Sequence, residues 1–272
     1  MKKILFICDS DHFPNGAFEL IKFMHTQEPV FLKGIFFSTV DYQQLVSVSN
    51  FPNTAPYLKF KEEDDQLVSK SKTRFSKLCQ TAGIGYCTHQ GDMDWNRETF
   101  NKESRFADLA VISEELYCAN YLNKQPNIFM QELLHTAECP VMIVPEDFKT
   151  IERIAFAYDS KKESVMALKQ FVSLLPQLTE LPVETVYTSE EKSDRIPDLD
   201  WLKEYASHHF NSFGASKLHF DGKKYLSSWL QEKKNVLLVC GAFSRSAVST
   251  LLSRSYADQI IRDHVSPIFI AH

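Results

Sequence analysis

Val236–Cys240 is a short apolar run of the kind that parallel sheets bury on both faces. It ends at Gly241, where a chain can turn sharply. A polar stretch from Ala242 to Arg254 follows and carries Ser244 and Arg245. Ser255 and Asp258 then have the spacing of a capping box that opens a helix. A turn, a hydroxyl-rich loop and a helix N-terminus, in that order, can cradle a phosphate on backbone N–H groups. Arg245 adds a planar guanidinium, which pairs with phosphate oxygens. A second apolar run, Arg153–Tyr158, ends at Asp159 and so puts a carboxylate at the sheet edge where open α/β folds bind ligands.

Other combinations lead to less. Asp9 ends the first apolar run as Asp159 ends a later one, and its simplest role is a helix cap or turn. Where the later half has Gly241, the first half has Ser113 followed by Glu114 and Glu115. Two carboxylates repel phosphate, so the first half is read as non-binding. His208 and His209 are adjacent on an expected helix and point in different directions. His89 with Asp92 and Asp94 reads as a polar turn after a strand. His12 follows Asp9, Ser10 and Asp11, but no nucleophile with a paired base emerges. G-x-S-x-G, H-E-x-x-H and G-x-x-x-x-G-K-[ST] are absent. Neither catalytic residues nor a metal are expected.

The formal net charge of −5 and the lack of a long Lys/Arg block argue against a nucleic-acid partner. No segment approaches the ~20 apolar residues of a membrane span. The opening MKKILFICDSD mimics a signal peptide, but its apolar run stops at Asp9, short of the ~7 residues such a segment needs. Six cysteines are scattered without a C-x-x-C pair, and Cys8 and Cys240 fall inside apolar strands. Buried thiols of this kind fit a reducing compartment, and a cytoplasmic location is expected.

The elements that must position these residues alternate. Ile4–Cys8 reads as a strand, Ala17–Met24 as a helix and Phe31–Ser38 as a strand. A long connection over 39–65 is followed by a charged helix, Gln66–Thr81, and a strand, Ile84–Thr88. A short helix (Asn96–Arg105), a strand (Leu109–Ile112), a helix (Ile128–Thr136) and a strand (Val141–Val144) complete the first set. The order then repeats. Arg153–Tyr158 is a strand, Glu163–Leu175 a helix, Val183–Thr188 a strand and Leu199–Phe210 a helix. Ser216–Phe220 is a strand, Lys224–Lys233 a helix and Ile268–Ala271 a final strand. Each set opens with a strand ending in Asp-Ser, at Asp9 and Asp159. Each closes with X-Pro and an apolar strand, at Pro140 and Pro267. Such a period marks a domain duplication, and alternating strands and helices imply parallel sheets with right-handed crossovers.

With these residues in place the chain resembles the universal stress protein family. That family carries G-x2-G-x9-G-[ST] between its fourth strand and last helix, where it holds ATP phosphates. The same spacing falls here on Gly241, Ser244, Arg254 and Ser255, so the first glycine and final hydroxyl match. Gly91-Asp92 and the run from Ala107 to Ile112 are similar to family landmarks after strand three and at strand four. The resemblance implies two tandem Rossmann-like doubly wound domains, 1–148 and 149–272. Each is a five-stranded parallel sheet flanked by helices, with strand order 3-2-1-4-5. It also implies an intramolecular pseudo-dimer in which Val141–Val144 lies near Ile268–Ala271. The implied function is a stress-response binding or scaffold protein with at most one degenerate adenine-nucleotide (ATP) site. That site is in the second half, built from Asp159, Gly241, Ser244, Arg245 and Ser255. A nucleotide-free scaffold acting through an unidentified protein partner is the alternative. A nucleotide-dependent transferase or hydrolase would need an intact glycine loop with a lysine or metal pair.

Overall fold

The computed structural model describes residues 1–10, 12–38, 55–89, 97–118, 133–189, 195–219, 222–241 and 266–271. Ten strands form one sheet: β1 (Lys2–Asp9), β2 (Val30–Phe37), β3 (Gly85–Thr88), β4 (Leu109–Ser113), β5 (Val141–Val144), β6 (Arg153–Tyr158), β7 (Val183–Ser189), β8 (Phe213–His219), β9 (Val236–Gly241) and β10 (Ile268–Ala271). Their spatial order is β3-β2-β1-β4-β5-β10-β9-β6-β7-β8. Each set of five therefore has the order 3-2-1-4-5, and the second set is the reverse of the first across the sheet. Among the described strands, every pairing within a set is parallel and only β5 with β10 is antiparallel.

The register of that central pair is two-fold symmetric. Met142 and Phe269 lie two residues beyond Pro140 and Pro267, and they face each other. The carbonyl of each proline accepts from the middle of the fourth strand of its own set, Ala110 N–H at 2.9 Å and Leu238 N–H at 3.0 Å. The proline landmarks of the sequence are thus structural equivalents. They start the strands on which the two halves meet.

Side chains alternate between two helical layers, as strand pleating requires. Ile4, Phe6, Val111, Met142, Phe156, Val239 and Phe269 face one layer. Its helices are α1 (Asn15–Gln27), α2 (Ala55–Ala82), α5 (Lys162–Leu174) and α6 (Leu199–His209). Leu5, Ile7, Ala110, Ile112, Ile143, Leu238 and Ile268 face the other. There lie α3 (Arg97–Arg105), α4 (Glu114–Cys118) and α7 (Gly222–Lys233). Both faces are covered, which is why the strands read as unbroken apolar runs.

Two expectations need correction. The connection read over 39–65 is helical from Ala55 onward. Pro56 falls in the first turn, where its missing N–H costs nothing. Asp64, Val68, Phe75 and Cys79 then form one buried stripe. The stretch after Ser113, read as a loop, is the short helix α4. Glutamates in a first turn favour a helix by complementing its dipole. The start of the helix read over Ile128–Thr136 and the one opening at Ser255 lie outside the described residues. Among the described residues no helix is long and apolar enough to cross a membrane.

Candidate functional site

Because β5 and β10 run antiparallel, the carboxyl ends of β1–β5 and those of β6–β10 lie on opposite edges of the sheet. Each edge gathers the residues just past adjacent strands, and the two edges differ.

On the second-half edge, β6 ends next to β9, so Asp159 and Gly241 come together there. Asp159 is exposed. Its Oδ1 accepts the N–H of Lys161 at 3.1 Å, and Oδ2 lies 3.4 Å from Lys161 Nζ. The intervening Ser160 has φ 62, the left-handed region that costs an L-residue roughly 1–2 kcal/mol. The carboxylate thus holds a tight turn and still faces outward. Gly241 sits under the first turn of α5. A Cβ there would lie 2.6 Å from the Glu163 carbonyl carbon and 2.7 Å from the Ser164 nitrogen. Glycine lets the helix start close onto the end of β9, a role beyond the turn read from sequence. Ser244, Arg245 and Ser255 lie outside the described residues.

Tyr158, just before Asp159, is buried and donates its hydroxyl to Asp198 Oδ2 at 3.3 Å. Burial first, and then the Asp198 carboxylate, push its pKa up to about 12. Cys240, next to Gly241, is held as a thiol by burial, its pKa pushed up to about 12. Neither group titrates near neutral pH, so among the described residues this edge offers a carboxylate and backbone groups, without a reactive thiol or phenol.

The first-half edge is rich in carboxylates. Asp9, the structural equivalent of Asp159, is only 3% exposed, and its Oδ1 accepts the His12 N–H at 2.6 Å. Ser113 pairs with Val144 as Gly241 pairs with Ala271, which supports the equivalence drawn from sequence. The Ser113 hydroxyl caps α4 by accepting the Leu116 N–H at 3.2 Å. Glu114 is buried, and Glu115 Oε2 is buried without a hydrogen-bond partner among the described residues. Glu146 is anchored by the Asn15 side-chain amide and by the Gly16 N–H at 3.1 Å. Gly16 is needed for that approach, since a Cβ would overlap the Pro145 carbonyl oxygen. His12 Nε2 lies 4.0 Å from Glu146 Oε1. One ligand atom each from His12, Glu115 and Glu146 all fall within 4.8 Å of one another.

Sequence reading passed over this trio because its members are far apart in the chain. The signal that finds it is topological. His12, Glu115 and Glu146 each lie two or three residues past the ends of β1, β4 and β5, which are neighbours in the sheet.

The other histidines singled out in the sequence are placed elsewhere. His89 Nδ1 is 3.0 Å from Glu103 Oε1, a carboxylate that also pairs with Lys33 and, at 3.6 Å, with Lys3. Asp92 and Asp94 lie outside the described residues. His208 and His209 are exposed at the end of α6, where the His209 ring packs 4.4 Å from that of Tyr205.

No protein-family model matches the chain, and no curated protein sequence matches it. Solved structures do. A universal stress protein from Archaeoglobus fulgidus DSM 4304 superposes with a TM-score of 0.70 at 14% identity, over 98% of this chain and 97% of that one. A functionally unknown protein from Pseudomonas aeruginosa PAO1 superposes with a TM-score of 0.59 at 12% identity, over 100% of this chain and 92% of that one. At these identities the likeness establishes the fold: this chain shares the architecture of that universal stress protein over 98% of its length.

Proposed function

We propose that the chain is a tandem universal stress protein, with units at 1–148 and 149–272, acting in the cytoplasm as a stress-response binding or scaffold protein. In this reading the second half keeps one degenerate adenine-nucleotide site, and the first half has none. The observation that carries it is the contrast between the two equivalent edges. Asp9 is buried and Ser113 is followed by two glutamates, whereas Asp159 is exposed and Gly241 lies beneath a helix start. Asp159 would lie near the ribose or base of the nucleotide. Gly241, Ser244 and Ser255 would shape and line the phosphate loop, with Arg245 as its charged partner.

Each well-made hydrogen bond to a charged phosphate contributes about 1.5–3 kcal/mol. Ser244 and Arg254 stand where the family has its second and third glycines, which removes at least one such contact. The affinity for ATP is then at least about tenfold weaker than an intact loop would give, since ~1.4 kcal/mol is a factor of ten. Titration calorimetry with ATP on the wild type, Asp159→Ala and Ser255→Ala tests this. Weak binding that both substitutions reduce supports the site. Binding unchanged by both would move it elsewhere. No binding to the wild type would leave the scaffold alone.

A further inference from the structure

We propose that His12, Glu115 and Glu146 form a binding site for a divalent transition-metal cation, zinc being the best match, on the carboxyl edge of the first half. The donors come from three separate segments: the β1–α1 turn, α4 and the chain just past β5. An imidazole and two carboxylates are ligands that zinc accepts with an open fourth position. Their two negative charges match a doubly charged ion.

Two features distinguish the trio from a chance surface group. Glu115 Oε2 is fully buried with no hydrogen-bond partner among the described residues. A buried carboxylate oxygen in that state is costly unless a cation or donor meets it. Glu146, in contrast, is already oriented. Its Oε2 accepts the Gly16 N–H, and the Asn15 amide holds Oε1. Asn15 is in turn held by Arg74, which leaves the guanidinium directed at an amide oxygen. Outer hydrogen bonds of this kind fix the ligand oxygens of metal sites.

The spacing is close to what zinc needs. Bonds of 2.0–2.1 Å in tetrahedral geometry set ligand atoms roughly 3.3 Å apart. His12 Nε2 and Glu146 Oε1 are 4.0 Å apart, and the whole set lies within 4.8 Å. The widest separation must close by up to about 1.5 Å to reach that spacing, and the His12 ring, the member least confined by packing, is exposed. This edge is opposite the one proposed for nucleotide, so the inference stands or falls independently of ATP. It reverses the expectation from sequence spacing that no metal site exists.

The test uses full-length protein stripped with chelator and titrated with zinc chloride, with manganese chloride in parallel. The expected result is one zinc per chain, bound more tightly than manganese. His12→Ala and Glu115→Gln should each weaken zinc binding at least tenfold. The double variant His208→Ala/His209→Ala should bind as the wild type does. Zinc should raise the melting temperature of the wild type and leave that of His12→Ala unchanged. His12 is exposed, so its variant should keep the circular dichroism spectrum of the wild type. Sub-stoichiometric zinc on the wild type would overturn the proposal. So would equal affinity in His12→Ala and Glu115→Gln, or loss confined to the His208/His209 variant.

Discussion

Replacing Gly241 by alanine tests the packing at the second-half edge. The added Cβ would lie 2.6 Å from the Glu163 carbonyl carbon and 2.7 Å from both the Glu163 oxygen and the Ser164 nitrogen. Ordinary contact begins near 3.4 Å, so the start of α5 must retreat by roughly 0.7–0.8 Å, the kind of backbone shift that overpacking forces. The obstacles are backbone atoms and cannot rotate away. α5 is anchored by Ala167, Leu168 and Phe171, each no more than 1% exposed, so the retreat disturbs the core. Overpacking of this kind costs about 1–3 kcal/mol. The assay is urea unfolding, with thermal melting in parallel. Each kcal/mol lowers the melting temperature by roughly 2–4 °C for chains near this size. Gly214→Ala is the control. Its nearest neighbours lie at 3.8 Å and 3.9 Å, and removing glycine from a strand stabilises by about 0.5–1 kcal/mol. Opposite signs for the two variants are expected. A Gly241→Ala protein as stable as the wild type would refute the close-approach argument.

Three further outcomes are expected. Phe269→Ala, at the pairing of β10 with β5 and edge-to-face with Phe171 at 5.7 Å between ring centroids, should cost about 3–5 kcal/mol in unfolding free energy; a loss below 1 kcal/mol would argue against a core shared by the two halves. Burial alone would raise the pKa of Glu103, but hydrogen bonds from Lys33 and His89, with the Lys33 and Lys3 charges, hold it below the ordinary value. Its contribution is therefore present above the unfolded carboxylate pKa and lost as pH falls through the lowered folded value. The stability deficit of Glu103→Gln should be largest near neutral pH and shrink on acidification, and a pH-independent deficit would contradict the ion-pair account. Burial raises the thiol pKa of Cys8 and pushes those of Cys79, Cys139 and Cys240 up to about 12. These four should resist a thiol reagent at pH 8 in folded protein and react after denaturation; rapid labelling of any of them in the native state would count against the burial.

Strands such as Ile4–Cys8 and Val236–Cys240 were legible because a sheet covered on both faces demands unbroken apolar runs. The duplication was legible through Pro140 and Pro267, which mark equivalent strand starts, whereas the pairing of the halves was implied by the family resemblance alone. The first turns of α2 were not legible, because the charged run over 61–65 gives a weak apolar pattern. α4 was missed for a related reason. Glu114 and Glu115 read as repulsion toward a phosphate, while their local effect is to favour a helix start. At the candidate sites, Asp159 and Gly241 were found from strand ends alone. The helix packing over Gly241 depends on where α5 sits, which periodicity does not convey. His12, Glu115 and Glu146 become neighbours only once β1, β4 and β5 are known to be adjacent.

The central claim is one nucleotide site, in the second half only. Native mass spectrometry of the full chain with excess ATP measures this directly by counting bound molecules. The account predicts one ATP per chain, lost in Ser255→Ala and kept in Glu115→Gln. Two bound molecules per chain, or one that survives Ser255→Ala, would contradict it.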